Sequence, residues 1–128
     1  MALFDGIDRL RVSLDYHLAR HNLLTTNLTQ VDTPGFKPLD LERTSFRRQL
    51  NVALQTTDPG HLGPTARTEE FKVIEAKGET PGLDENGVSL DREAVKIASN
   101  QLRYDAVASL TTSQLGEIAW AANDGRNG

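Results

Sequence analysis

The chain has 128 residues, a net charge of −4 and no cysteine, which excludes disulfide scaffolds, cysteine-ligated zinc and thiol catalysis. Phosphate binding needs a clustered basic surface, so the acidic balance argues against nucleic acid as a partner. Aromatic residues make up only 5% of the chain, so we expect one elongated domain with a modest core rather than a thick globule.

The first predicted element is a long helix within residues 1–33. Its apolar and histidine positions step by four and three residues, which is the period of a coiled-coil seam. Some 25 helical residues make a rod roughly 37 Å long. The predicted seam runs through Ile7, Leu10, Leu14, His17, His21, Leu24, Leu28 and Val31.

A sharply specified turn follows this helix. Pro34 cannot continue a helix and pushes Thr33 into an extended conformation. Pro34 and Gly35 suit the two central positions of a type II turn, where glycine supplies the positive φ angle. Phe36 comes directly after the turn, where its ring can pack on the helix end.

The middle of the chain, residues 34–88, is predicted to hold a short helix and a long irregular loop. Residues 41–54 are compatible with a helix capped by Asp40, with Phe46, Leu50 and Leu54 on one face.

Proline and glycine are dense from residue 55 to residue 88, which leaves room for one short strand at residues 70–74. Loops of this length are uncommon in a compact domain, so we expect this one to become ordered against neighbouring subunits.

A second long helix is predicted within residues 89–124. Ser89 is the expected N-cap, and acidic residues occupy the first turn, where the helix dipole favours them. A second apolar stripe beside the seam, containing Val95, Ala98, Leu102 and Ala106, indicates more than one packing partner. The predicted seam itself comprises Leu90, Ala94, Ile97, Gln101, Tyr104, Ala108, Thr111, Leu115, Ile118 and Ala122.

Two terminal helices with matching seams predict a mainly all-α fold, an antiparallel coiled-coil hairpin joined by the irregular middle. No run of about 18 apolar residues is present, so we expect no membrane-spanning segment. On these physical grounds the chain is an elongated assembly protein rather than an enzyme.

The catalytic and metal-binding patterns are weak. His17 and His21 have the spacing of metal ligands on one helix face, but no third ligand accompanies them, so we interpret them as core or interface histidines. The carboxylates are scattered, and neither a nucleophile motif nor a glycine-rich phosphate loop is present. We therefore expect no catalytic residue, no metal and no cofactor.

Residues 26–37, TNLTQVDTPGFK, resemble the N-terminal signature of bacterial flagellar rod and hook proteins. In that signature a heptad-bearing helix ends in Asn-Ile/Leu-Ala-Asn-x-x-Thr-Pro-Gly-Phe/Tyr-Lys/Arg, and here Thr29 and Gln30 replace the usual Ala and second Asn. The matching residues are Asn27, Leu28, Thr33, Pro34, Gly35, Phe36 and Lys37.

The chain is too short for the large inserted β-rich domains of hook and distal-rod proteins. Residues 57–62, 87–93 and 100–104 also resemble the short proximal-rod members of the family. The resemblance therefore covers both predicted helices and part of the loop.

The resemblance implies a structural subunit of the proximal rod in the flagellar basal body, exported to the periplasm by the type III apparatus without a cleaved signal peptide. Its terminal helices would assemble helically, line the export channel and transmit torque. The implied partners are other copies of the chain, other rod proteins, a FliE-type adaptor, the MS ring and the export gate. The assembly seam would comprise Ile7, Leu10, Leu14, Leu24, Leu28, Val31, Ile97, Leu102, Tyr104, Leu115 and Ile118.

Two alternatives stay open at this point. Phe46 and Leu50 match the Phe-x-x-x-apolar pattern that early export substrates use at the gate, but a short amphipathic helix needs the same two residues for packing. The whole chain is also compatible with a cytoplasmic coiled-coil adaptor or chaperone that binds a partner helix.

Overall fold

A computed structural model describes residues 2–42, 71–76 and 88–123. Helix α1 spans Ala2–Thr29 and helix α2 spans Leu90–Ala122. The helices run antiparallel, since Gly6 near the start of α1 lies against Gln114 of α2, and Asn27 near its end contacts Glu93. The predicted mainly α hairpin is confirmed. Within the described residues no helix is long and apolar enough to cross a membrane.

Helix α1 ends at Thr29, inside the predicted range. The hydroxyl groups of Thr25 and Thr26 each donate to the backbone carbonyl four residues earlier, at 2.9 Å. The backbone then tightens, because the N–H groups of Gln30 and Val31 donate to carbonyls only three residues back. Threonine side chains that bond to the backbone weaken a helix interior, and here they coincide with its last turn.

The turn after α1 has the predicted geometry. Gly35 has a φ angle of +73°, and the N–H of Phe36 donates to the carbonyl of Thr33 at 3.3 Å. Both features belong to a type II turn with proline and glycine at its centre. The Thr33 hydroxyl also donates to the side-chain carbonyl of Gln30 at 2.8 Å. Gln30, one of the two departures from the family signature, thus helps to hold the turn.

Two short antiparallel strands follow, β1 at Leu39–Leu41 and β2 at Val73–Glu75. Leu39 pairs with Glu75, and Leu41 pairs with Val73. The predicted helix start at residue 41 is wrong, because Leu41 pairs with β2 and the Asp40 carboxylate binds Arg20 instead of capping a helix. The strand predicted at residues 70–74 is observed slightly later, at Val73–Glu75.

Several predictions fall outside the described residues. These are the remainder of the predicted short helix, with Phe46 and Leu50, and most of the loop at residues 55–88.

Helix α2 begins after Ser89, as predicted, although the Ser89 side chain makes no capping hydrogen bond. The residues of α2 that face α1 recur every four and three positions, as predicted. At every second position, however, the residue that faces α1 lies one place before the predicted seam residue. Asn100 is fully buried, whereas its neighbour Gln101, the predicted seam residue, is exposed. The residues of this face that are at least partly buried are Glu93, Ile97, Asn100, Tyr104, Val107, Thr111 and Ile118.

The apolar core is small and lies at the turn end of the hairpin. Tyr16 packs its ring edge-on against Phe71, with 5.3 Å between the ring centroids. The buried apolar residues are Tyr16, Leu24, Leu41 and Val88.

Candidate functional site

A cluster of polar side chains lies where α1, β1 and α2 meet. We call it the polar junction, and its members come from all three elements. Burying such groups is unfavourable unless each one finds a partner. The members are Arg20 and Asn27 on α1, Asp40 on β1, and Glu93 and Lys96 on α2.

Asn27 forms the centre of the polar junction and is fully buried. Its Oδ1 accepts from the backbone N–H of Leu39 at 3.0 Å, and its Nδ2 donates to the carbonyl of the same residue at 2.7 Å. The carboxamide thus bonds Leu39 as a neighbouring strand would, on the edge of β1 opposite β2. Nδ2 also donates to Glu93 at 3.1 Å. Only asparagine, among side chains of this size, offers both the acceptor and the donors.

Glu93 connects the junction to α2. Its carboxylate is fully buried and accepts from Asn27 on one oxygen and from Lys96 on the other, the latter at 2.9 Å. Glu93 also lies in the first turn of α2, where the helix dipole favours a negative charge. The buried carboxylate is therefore matched by a cation, an amide donor and the helix start.

Arg20 and Asp40 join α1 to β1 through two parallel hydrogen bonds of 2.7 and 2.8 Å. Burial alone would raise the pKa of Asp40, whereas the hydrogen bonds from Arg20 and from the Leu41 N–H lower it. The positive charges of Arg20 and Lys96 act in the same direction, so the pKa of Asp40 lies below its ordinary value. The hydrogen bond to Asp40 correspondingly raises the pKa of Arg20, against the effect of burial.

A second pair lies further along the hairpin. Asn100 donates from Nδ2 to the backbone carbonyl of His17 at 2.7 Å, and its Oδ1 lies 2.8 Å from Nδ1 of the same histidine. A carbonyl can only accept, so this contact fixes the orientation of the amide, and Nδ1 of His17 must carry the proton. His17 is therefore a buried structural residue that fixes the register of the two helices.

His21 occupies a different environment. Its Nδ1 is buried with no hydrogen-bond partner among the described residues. Within the same part of the chain, no three metal-ligating side chains come together.

The structure divides the signature residues into two groups. Asn27 is buried in the polar junction and Leu28 is partly buried, whereas the turn itself faces outward with Phe36 half-buried. Lys37 pairs with Glu75 on β2 at 3.3 Å. The exposed signature residues are Thr33, Pro34, Gly35 and Lys37.

The residues predicted to form the assembly seam are also divided. Leu102 and Leu115 are 72% and 50% exposed, so they lie outside the contact between the two helices, and their part in assembly stays a prediction. Leu24 is fully buried. The remaining predicted seam residues are partly buried: Ile7, Leu10, Leu14, Leu28, Val31, Ile97, Tyr104 and Ile118.

Helix α2 carries a second stripe on the side facing away from α1. Leu102 lies two residues after the buried Asn100, which is about 200° around the helix. The stripe has no charged residue, and its members recur every three or four positions. We call it the outer stripe, and its exposed members are Val95, Ala98, Leu102, Ala106, Ser109, Ser113, Gly116 and Trp120.

The polar junction was missed by reasoning from periodicity. The seam was predicted from the spacing of apolar and histidine residues, which placed His21 and Leu28 on it. The buried residues are instead Arg20 and Asn27, each one position earlier. The same displacement by one position occurs on α2 at Asn100. The sequence feature that pointed to the polar junction is a charged residue directly beside a predicted seam position, as Arg20 and Glu93 are.

Two packed terminal helices, joined at one end by buried polar groups and carrying an exposed uncharged stripe along α2, have the architecture of a structural subunit. No family model matches the chain. Similar proteins are the flagellar basal body rod protein FlgB of Aquifex aeolicus, 32% identical over 92% of this chain and 93% of that protein, and the FlgB of Cereibacter sphaeroides, 33% identical over 80% and 81%. The Escherichia coli FlgB is 27% identical over 80% of this chain and 82% of its own. The chain belongs to the FlgB family of flagellar basal body rod proteins.

Proposed function

We propose that this basal body rod protein is an axial subunit of the proximal rod. In this role its terminal helices assemble helically, transmit torque and line the export channel. The partners are further copies of the chain, other rod proteins, a FliE-type adaptor, the MS ring and the export gate. The chain reaches the periplasm through the type III apparatus.

The observation that carries the proposal is the outer stripe of α2. Leu102 is 72% exposed, Val95 is 69% exposed and Trp120 is 56% exposed. Large apolar side chains aligned on one uncharged helix face are typical of an interaction surface. A subunit that is embedded among neighbouring helices would cover this face only on assembly.

The polar junction is a second observation that supports the proposal. Asn27, Glu93 and the Arg20–Asp40 pair tie both terminal helices to β1. We expect these hydrogen bonds to pass a load from one helix to the other, as a subunit that transmits torque requires.

The experiment is complementation of a strain that lacks the gene with Leu102→Asp. A charge placed on the outer stripe should abolish motility and leave basal bodies without a completed rod, while export of the variant chain continues. Thr112→Asp is the matched control, because it puts the same charge on an exposed position of α2 beside the stripe.

Cryo-electron microscopy of purified basal bodies then locates the wild-type chain. The proposal requires the hairpin in the innermost rod, with its helices along the axis. Finding the chain outside the rod, or normal rods with Leu102→Asp, would overturn it.

A further inference from the structure

An open groove runs along the side of α1 that faces away from α2. Its volume is about 780 Å³, and it extends along α1 from Arg11 to Thr26. Leu18 and Val73 are about half exposed at its surface. The apolar side chains that line the groove are Leu18, Ala19, Leu23, Leu41, Phe71 and Val73.

The groove and the outer stripe lie on opposite sides of the hairpin. Leu18 precedes the buried Asn27 by nine residues, or two and a half helical turns, so the two side chains lie on opposite faces of α1. Leu102 is likewise about half a turn from the buried Asn100 of α2. Two hairpins placed side by side in the same orientation would therefore bring the stripe of one copy to the groove of the next.

The two surfaces also match in size. The groove extends over 16 residues of α1, a length of roughly 24 Å. A helix is about 10 Å across, so a segment of the outer stripe about four turns long can lie along the groove. Small residues in the middle of the outer stripe, such as Ala106 and Ser109, let a helix approach closely.

The charges of the two surfaces are compatible. The charged groups that line the groove are Arg11 and Asp15, which lie 4.0 Å apart and offset each other. The outer stripe carries no charge, so docking does not bury an ion without a partner. A buried ion without a partner is the most unfavourable outcome for an interface.

We propose that the outer stripe of α2 in one copy docks into the α1 groove of a second copy. The inference rests on the proposed function, in which the chain assembles with itself. Because stripe and groove are different surfaces, the contact is heterologous, and it repeats from copy to copy instead of closing a symmetric dimer. This repetition is what a helical rod requires.

The absence of cysteine from the chain permits a direct test by disulfide trapping. Full-length Leu18→Cys and Leu102→Cys chains, carrying different tags, are mixed in equal amounts and oxidised, and the cross-linked species are identified by mass spectrometry. Docking holds the two sulfurs at high effective concentration, so the mixed dimer should exceed either homodimer by on the order of tenfold or more. Leu18→Cys mixed with Thr112→Cys is the matched control.

Each other outcome overturns the proposal. Predominance of the Leu102→Cys homodimer would mean that α2 packs on α2 in a symmetric contact. Absence of any Leu18→Cys cross-link above the control would mean that the groove does not receive the outer stripe of another copy. Either result leaves the proposed function standing, since that is decided separately by the location of the chain in basal bodies.

Discussion

The two ends of the hairpin are built in opposite ways. At the turn end, α1 and α2 bury Arg20, Asn27, Glu93 and Asn100 between them. Beyond Asn100 no described residue of α2 is buried, although α1 continues alongside as far as Gly6 and Gln114. The turn end is therefore held by buried contacts within the chain, whereas α2 has no buried described residue at the other end.

Buried polar groups at the turn end determine register rather than supply most of the stability. Each hydrogen bond contributes little net free energy, but a misaligned helix would leave several buried groups unpaired, at a large cost. The opposite end of the hairpin, around Gly6 and Gln114, has no buried polar group of this kind among the described residues. The predictions below change one end at a time, from the largest expected effect to the smallest.

Asn27→Asp should be the most damaging change at the turn end. It keeps the shape and the acceptor for Leu39 but removes both donors and places a second carboxylate beside Glu93. Unpaired buried groups and like charges together should lower the free energy of unfolding by roughly 3–5 kcal/mol. Urea denaturation followed by circular dichroism measures this. Asn22→Asp, the same change at an exposed position of α1, should be nearly neutral; equal losses would contradict the account.

Asp40→Asn should have the next largest effect. It leaves Arg20 half-paired at a site where its side chain is only 10% exposed, which should lower the free energy of unfolding by about 2–3 kcal/mol. The control is Asp15→Asn, which removes an exposed carboxylate from α1. Its effect should stay within about 0.5 kcal/mol, and a comparable loss there would show that the Arg20–Asp40 pair has no special role.

The same pair predicts a pH dependence. Since the pKa of Asp40 is lowered in the folded state, its contribution is complete above the unfolded-state pKa of about 3.9 and is lost as the pH falls through the lower folded-state pKa. The stability difference between wild type and Asp40→Asn should thus be constant near neutrality and shrink below about pH 4. Urea denaturation at a series of pH values tests this, and a difference independent of pH would refute it.

Two glycines should respond to alanine with opposite signs. Gly35 has a positive φ angle, so Gly35→Ala should destabilise by about 1–2 kcal/mol even though the space around it is open. Gly116 lies within α2 with nothing close to its Cβ position, so Gly116→Ala should stabilise by up to about 1 kcal/mol. Thermal unfolding of both variants gives the two signs, and destabilisation by both would contradict the proposed geometry.

Leu102→Asp should have the smallest effect on the isolated chain. Its side chain makes few contacts, so the free energy of unfolding should change by less than about 0.5 kcal/mol. Measured beside the motility assay, this separates a defect in assembly from a defect in folding. A large loss of stability would mean that the outer stripe packs within the monomer.

The sequence allowed the two helices, their antiparallel pairing and the turn at Gly35 to be predicted, because periodicity and backbone preferences are local. The pairing of β1 with β2 was not predictable in the same way, since three-residue strands depend on a partner distant in the chain. Asn27 was singled out only through its place in the family signature. Its role became clear once the structure placed Leu39 and Glu93 on its two sides.

Amide hydrogen exchange of the isolated chain tests most directly whether the turn end of the hairpin is held more tightly than the opposite end. The amides at the end of α1 and the start of α2, around Asn27 and Asn100, should exchange slowly. Those of α2 between Ala106 and Ala122 should exchange much faster and become protected only in assembled rods. Uniform slow exchange along both helices of the isolated chain would contradict the account.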